Sequence, residues 1–146
     1  MHILVLNGPN LNMLGIREPQ HYGTQTLADL TQMLQSEADA LGITIECYQS
    51  NHEGDLVDKI QGAYGTADGI LINPAAYTHT SVALLDAVKA VSLPTVEVHI
   101  SDPDTRDEFR KISFIRQACI ATVKGKGFPG YLEGLQILVK YIQNQA

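Results

Sequence analysis

The sequence has no basic run, no cysteine or histidine set at metal-binding spacing, and no apolar stretch of membrane-spanning length. The first absence, together with a formal charge of -6, argues against a nucleic-acid or anionic-membrane surface. The second removes the usual signature of a zinc site. The two cysteines, Cys47 and Cys119, stand in apolar-alternating segments, where buried and reduced thiols are expected. The third leaves no candidate spanning helix. The opening Met1–Asn7 segment is too short and uncharged for a signal peptide, so a cytoplasmic location is expected. The Asn7–Gly23 loop holds no G-x-G-x-x-G and no Walker lysine, so it is not a standard phosphate cradle. Repeats, linkers and low-complexity tracts are absent too. What is there is 146 residues, 45% of them hydrophobic. That suffices for one full core without metal or disulfide, and one domain over residues 1–146 is expected.

Short apolar runs alternate with helical patterns. Ile3 to Leu6 reads as a strand buried on both faces. Leu27, Leu30, Leu34, Ala38 and Leu41 line one face of a helix over 26–41, which Gly42 stops. Ile43 to Tyr48 is a second strand. Ser50 and Glu53 have the spacing of a capping box and open a helix to about Tyr64. Gly69 to Asn73 is a third strand, 80–91 a helix, and Thr95 to Val98 a fourth strand. A short helix over 107–111 and a fifth strand from Cys119 to Val123 follow. Pro129 suits the first turn of a last helix reaching Ile142. This alternation predicts an α/β fold, a flavodoxin-like three-layer sandwich. Its five-stranded parallel sheet has the order 2-1-3-4-5. Strands 1, 3 and 4 are then central neighbours.

Polar residues cluster where those three strands end, which is where open α/β sheets bind ligands. After the first strand comes a long loop, Asn7 to Gly23, carrying Arg17 and Tyr22. Its Asn-Gly-Pro-Asn start is a turn by itself, but loops of this length are usually lids or binding loops. After the third strand, Asn73 precedes Pro74, so its backbone is pushed toward extended geometry. An Asx-turn is the plain alternative. His79 lies near a helix N-terminus, which favours a bound anion, and Asp86 seven residues on falls on the same helical face. A capping histidine and a solvent-facing acid are the plain alternatives. At the end of the fourth strand Glu97 and His99 are two apart and share a face, as a general acid held by a carboxylate requires. A structural Glu–His pair has the same spacing. Ser101 continues that face, where its hydroxyl and nearby N–H groups suit a carboxylate. Arg106 and Arg110 share a face if their segment is helical, and four acids around them also fit a solvated charged patch.

Taken together, these runs resemble the type II 3-dehydroquinate dehydratases. The matching stretches are Asn7 to Asn12, Arg17-Glu18-Pro19 with Tyr22-Gly23, Thr78 to Leu84, Glu97 to Ser101, Arg106 with Glu108-Phe109-Arg110, and Gly130-Tyr131. They occur in the family's order over nearly the whole chain. The resemblance implies a flavodoxin-like hydro-lyase that needs no cofactor and no Schiff base. The reaction implied is 3-dehydroquinate to 3-dehydroshikimate through an enolate, in the shikimate (aromatic amino acid) or quinate route. It implies Tyr22 as the base at C2, Asn10 holding a water that stabilises the enolate, and His99, paired with Glu97, protonating the departing C1 hydroxyl. It places Asn73, Ile100 and Ser101 on the substrate carboxylate and nearby hydroxyl, and His79 and Arg110 on ring hydroxyls. Arg17 and Arg106 would favour the Tyr22 phenolate. Asp86 would reach a neighbouring subunit's site, in a dodecamer built as a tetramer of trimers.

The chain departs from the family pattern at Ile16, Ala75, Leu85, Asp102 and Phe114, where arginine, glycine, arginine, asparagine and tyrosine are usual. None of these removes a proposed catalytic group. Two rivals remain at this stage: another dehydratase or isomerase of a polyhydroxy keto acid, and a binding module for FMN or a phosphorylated ligand. An FMN module wants a Ser/Thr/Gly-rich loop after the first strand, where this chain has Asn, Pro, Arg and Tyr.

Overall fold

The computed structural model describes residues 1–16, 18, 20 and 24–146. Arg17 and Tyr22 lie outside the described residues. Among the described residues five strands form one parallel sheet: β1 (His2–Asn7), β2 (Thr44–Gln49), β3 (Gly69–Asn73), β4 (Thr95–His99) and β5 (Ala121–Lys124). Their order is β2-β1-β3-β4-β5, as the alternation predicts. Helices among the described residues include α1 (Leu27–Leu41), α2 (Glu53–Gly62), α3 (Val82–Val91) and α4 (Pro129–Gln145).

Strand alternation assigns the two cores. Ile3 and Val5 of β1 pack with Leu30 and Leu34 of α1 and with Tyr131, Leu135 and Leu138 of α4. Leu4 and Leu6 point the other way, toward Leu56 and Ile60 of α2 and Leu84 and Val88 of α3. In β4, Val96 and Val98 belong to the first core. The opposite face of that strand carries Thr95, Glu97 and His99, all buried. A carboxylate and an imidazole thus replace apolar side chains at the centre of the sheet.

Three local expectations are corrected. The capping box at Ser50 and Glu53 does not form, because α2 is capped at His52. Ser50 still extends the sheet through its N–H to Asn7 O at 3.1 Å, so the chain needs two more residues to turn. Its hydroxyl donates to Asp55 at 2.7 Å and accepts from His52 N. The capping box is instead at α1, where Thr26 and Asp29 exchange backbone-to-side-chain bonds of 2.9 and 3.2 Å. Next, α3 begins at Val82, after Ser81, whose hydroxyl accepts from Leu84 N at 2.9 Å. Ala75–His79 is a separate 3-10 turn, so His79 and Asp86 do not share a helix face. Finally, Arg106 follows a turn at Pro103–Thr105 while Arg110 ends another at Glu108–Arg110, so they are not i,i+4 on one helix.

Two backbone details draw the strand ends together. Gly8 N donates to Asn73 O at 2.8 Å, and a Cβ at Gly8 would stand 2.4 Å from Pro74 O. Only glycine lets the exits of β1 and β3 touch backbone to backbone. Ala75 has φ 53°, the left-handed region where glycine costs least. That is the position where the family pattern has glycine.

Candidate active site

A cleft of about 170 Å³ opens at the carboxyl ends of β1, β3 and β4. Asn10, Asn73, His79, His99, Ile100, Ser101, Arg106 and Arg110 all line it. Glu97 lies behind His99, and Asp86 is exposed on α3, away from this chain's own cleft.

The first loop is pinned by amides. Asn10 sits at φ 69° and its N–H donates to Asn51 Oδ1 at 3.0 Å. Gln49 Nε2 shares its two hydrogens among Gly8 O, Asn12 Oδ1 and Asn51 Oδ1, all within 3.4 Å, and Tyr77 donates to Asn51 O at 2.7 Å. Further along, Glu18 accepts from Arg106 Nη2 at 3.1 Å, which joins this loop to the exit of β4.

Asn73 is oriented on both sides of its amide. Its Oδ1 accepts from Ala75 N at 3.0 Å, the Asx-turn given above as the plain alternative, and its Nδ2 donates to Tyr131 Oη at 2.9 Å. The Tyr131 hydroxyl in turn donates to Asn7 Oδ1 at 2.6 Å. Burial pushes the Tyr131 phenol above its ordinary pKa, so it stays a neutral donor. The second Nδ2 hydrogen of Asn73 remains to meet an acceptor such as a carboxylate. Tyr131→Phe leaves buried partners at Asn7 and Asn73 unsatisfied. We expect a stability loss of roughly 1–3 kcal/mol in denaturant unfolding and a raised KM with kcat less affected.

Across the cleft, His79 Nδ1 lies 2.7 Å from Ile112 O, so it carries the hydrogen and leaves Nε2 as an acceptor. Burial is the main cause that lowers the His79 pKa, with the charges of His99 and Arg110 adding to it. Arg110 donates through Nε to Asp107 at 3.0 Å. The carbonyls of Ile100 and Ser101 accept from Gly127 N and Gly125 N, which fixes the backbone beyond β4.

The strongest electrostatic feature is Glu97, whose relative exposure is 0%. Its Oε2 accepts from His99 Nε2 at 2.5 Å and from Ser113 Oγ at 2.8 Å. Its Oε1 accepts from Arg116 Nε at 3.2 Å and Thr122 Oγ1 at 3.1 Å. Burial opposes ionisation, but His99, Ser113 and Arg116 together outweigh it and bring the Glu97 pKa down to about 2. The stability this gives is fully present above the ordinary value of 4.5 and is lost as pH falls through about 2. With His99 Nε2 committed to Glu97, Nδ1 is the nitrogen left for proton transfer. Sequence reasoning found Glu97 and His99 but not Ser113, Arg116 or Thr122 as their partners. Nor did it find Tyr131 behind Asn73. Among the described residues no group of three or more acids, histidines or cysteines is placed to hold a metal ion.

Known proteins resemble the chain along most of its length. The family model described as dehydroquinase class II matches residues 1–139. A 3-dehydroquinate dehydratase of Campylobacter hominis is 57% identical over 131 residues, covering 90% of this chain and 84% of its own. That of Geotalea daltonii is 54% identical over 143 residues, covering 98% and 99%. The crystal structure of a type II dehydroquinase from Butyrivibrio crossotus superposes with a TM-score of 0.94 at 48% identity, covering 95% of this chain and 97% of that one.

Proposed function

The chain belongs to the class II dehydroquinases and is a hydro-lyase, a type II 3-dehydroquinate dehydratase; on that premise we propose that Tyr22 is its base and His99 its general acid. Tyr22 removes the C2 proton beside the ketone, and the electrons move into an enolate. Asn10 holds the water that stabilises the enolate oxygen. The enolate then reforms the ketone, and the C1 hydroxyl leaves as water after taking a proton from His99. Asn73, Ile100 and Ser101 hold the substrate carboxylate and adjacent hydroxyl, while His79 and Arg110 meet the ring hydroxyls. Arg17 and Arg106 favour the Tyr22 phenolate.

The observation that carries this reading is the buried Glu97–His99 pair beside an Asn73 amide whose orientation is set by two partners. None of the six lysines lines the cleft, so the chain offers no amine there for an imine. The test is an ultraviolet assay for the conjugated enone formed from 3-dehydroquinate with no added cofactor. Failure of absorbance to rise with folded protein would overturn the reading. The reaction serves a shikimate or a quinate route equally.

We also propose a homo-oligomer, a tetramer of trimers, in which Asp86 reaches a neighbour's cleft. Ile112, whose carbonyl bonds His79, is an exposed apolar side chain, as are Val82 and Phe109, which supports a covered rim there. Leu85, where the family pattern has arginine, is buried within its own chain. Light scattering at assay concentration is expected to show a species several times the 15.9 kDa chain, and a fully active monomer would contradict this.

A further inference from the structure

We propose that Arg116 is a positioning residue for the general acid, clamping Glu97 from behind so that His99 is held toward the cleft with a transferable proton. The inference rests on His99 acting as the acid.

The two oxygens of Glu97 divide the work. Oε2 holds His99 and Ser113, and Oε1 is held by Arg116 and Thr122. Any rotation of the carboxylate that moves His99 must break both bonds on the far oxygen. Arg116 reaches Glu97 from the 3-10 turn Ile115–Ala118 and is itself only partly exposed. Its Nη1 lies 3.9 Å from Asp104 Oδ2, and Asp104 is paired with Lys124. Lys124 also lies 3.6 Å from Asp102, the residue after Ser101. Charges therefore alternate from His99 through Glu97, Arg116, Asp104 and Lys124 to Asp102. Sheet register builds this arrangement, since Glu97 is opposite Thr122 and His99 opposite Lys124.

Stability alone is a weak reason for such a cluster. Buried ion pairs often contribute no more than apolar replacements of similar volume. Arg116 Nη2 and Asp104 Oδ1 are buried without a hydrogen-bond partner among the described residues, which adds cost. Ser113 and Thr122 already supply neutral hydrogen bonds to Glu97. What Arg116 adds is a positive charge shared with His99 across one carboxylate. A carboxylate neutralised from behind attracts an imidazolium less strongly, so the proton moves more readily to the leaving hydroxyl. The other ionisable groups facing Glu97 or His99 are His79, Cys119 and Asp104, and Asp104 is paired with Lys124. Burial and the nearby Glu97 push the Cys119 thiol up to about 12, so it adds no charge at neutral pH.

The experiment compares Arg116→Met, Arg116→Lys, His99→Ala and the His99→Ala/Arg116→Met double variant. Each is first checked for native circular dichroism and assembly. Arg116→Met is expected to lower kcat roughly tenfold, within the span of neighbours coupled through one network. KM should stay within about twofold, because no substrate contact is removed. The limb of the kcat profile that reports the acid should move to higher pH. Arg116→Lys keeps the charge without the Nε fork, so it should hold that limb near its original position and lose part of kcat. In the His99→Ala background, removing Arg116 should have no further effect. An unchanged kcat and profile in Arg116→Met, or an equal loss with and without His99, would overturn the inference. If Arg116→Met does not fold, Arg116→Lys decides, and wild-type kcat in it would overturn the clamp. Full turnover in His99→Ala would overturn the general-acid reading and this inference with it. Loss there with none in Arg116→Met would overturn this inference alone.

Discussion

Tyr22→Phe is expected to abolish nearly all turnover while the protein still folds and binds a substrate analogue. The change removes one oxygen and keeps the ring, so ligand contacts through the ring persist. A free tyrosine titrates at about 10, and little phenolate exists at neutral pH without help. A cation in contact lowers an acid's pKa by roughly 1–3 units, each unit being about 1.4 kcal/mol toward the phenolate. Arg17 precedes Tyr22 by five residues, and Arg106 lines the cleft. Glu18, next to Arg17, is bound to Arg106 at 3.1 Å, which brings the first loop to that cation. Removal of any phenol from water acts in the opposite direction, so the cations must outweigh that cost. Arg17→Ala is accordingly expected to reduce turnover strongly and to move the basic group's apparent pKa upward. Steady-state rates and their pH profiles check both variants. Near-wild-type turnover in Tyr22→Phe would remove the base assignment and the mechanism built on it.

His99→Ala should retain substrate binding and lose most of kcat, by ~10²–10⁴-fold, the usual contribution of a positioned acid. Its ring is almost wholly buried and reaches the cleft at the end of β4, so alanine leaves a space that water fills without the same proton affinity. Glu97→Gln should cost less, because the neutral amide still accepts one hydrogen bond from His99. It should shift the rate profile as well, because it removes the negative charge that His99 Nε2 contacts at 2.5 Å. Glu97 itself is ionised throughout the neutral range, with its pKa at about 2. Any limb of the profile near neutrality therefore belongs to another group. Single-turnover and steady-state assays with 3-dehydroquinate measure these losses, and retained turnover in His99→Ala would show that another residue gives the proton.

Local chemistry made much of the fold readable. Continuous apolar runs such as Ile70-Leu71-Ile72 can only sit between two layers, and a period near 3.6 over 27–41 can only present one helix face. Two of the helix starts moved where serines at neighbouring turns offered caps. Ser50 matched the spacing of a cap but was still needed by the sheet, while Ser81 took the cap that begins α3. Spacing alone puts His79 and Asp86 on one face, because the break at Thr80–Ser81 leaves no mark on hydrophobic periodicity.

The sequence by itself determined the strand and helix alternation and the polar groups at the exits of β1, β3 and β4. Those features depend on neighbours a few residues apart, where spacing translates directly into direction. Only the tertiary structure decided what surrounds Glu97 and Asn73. Ser113, Arg116 and Thr122 reach Glu97 from 16, 19 and 25 residues away, and Tyr131 reaches Asn73 from 58. At such separations spacing carries no direction. The contacts follow from the register of β5 on β4 and from α4 packing across the sheet, and a buried carboxylate and amide are satisfied only once those layers close.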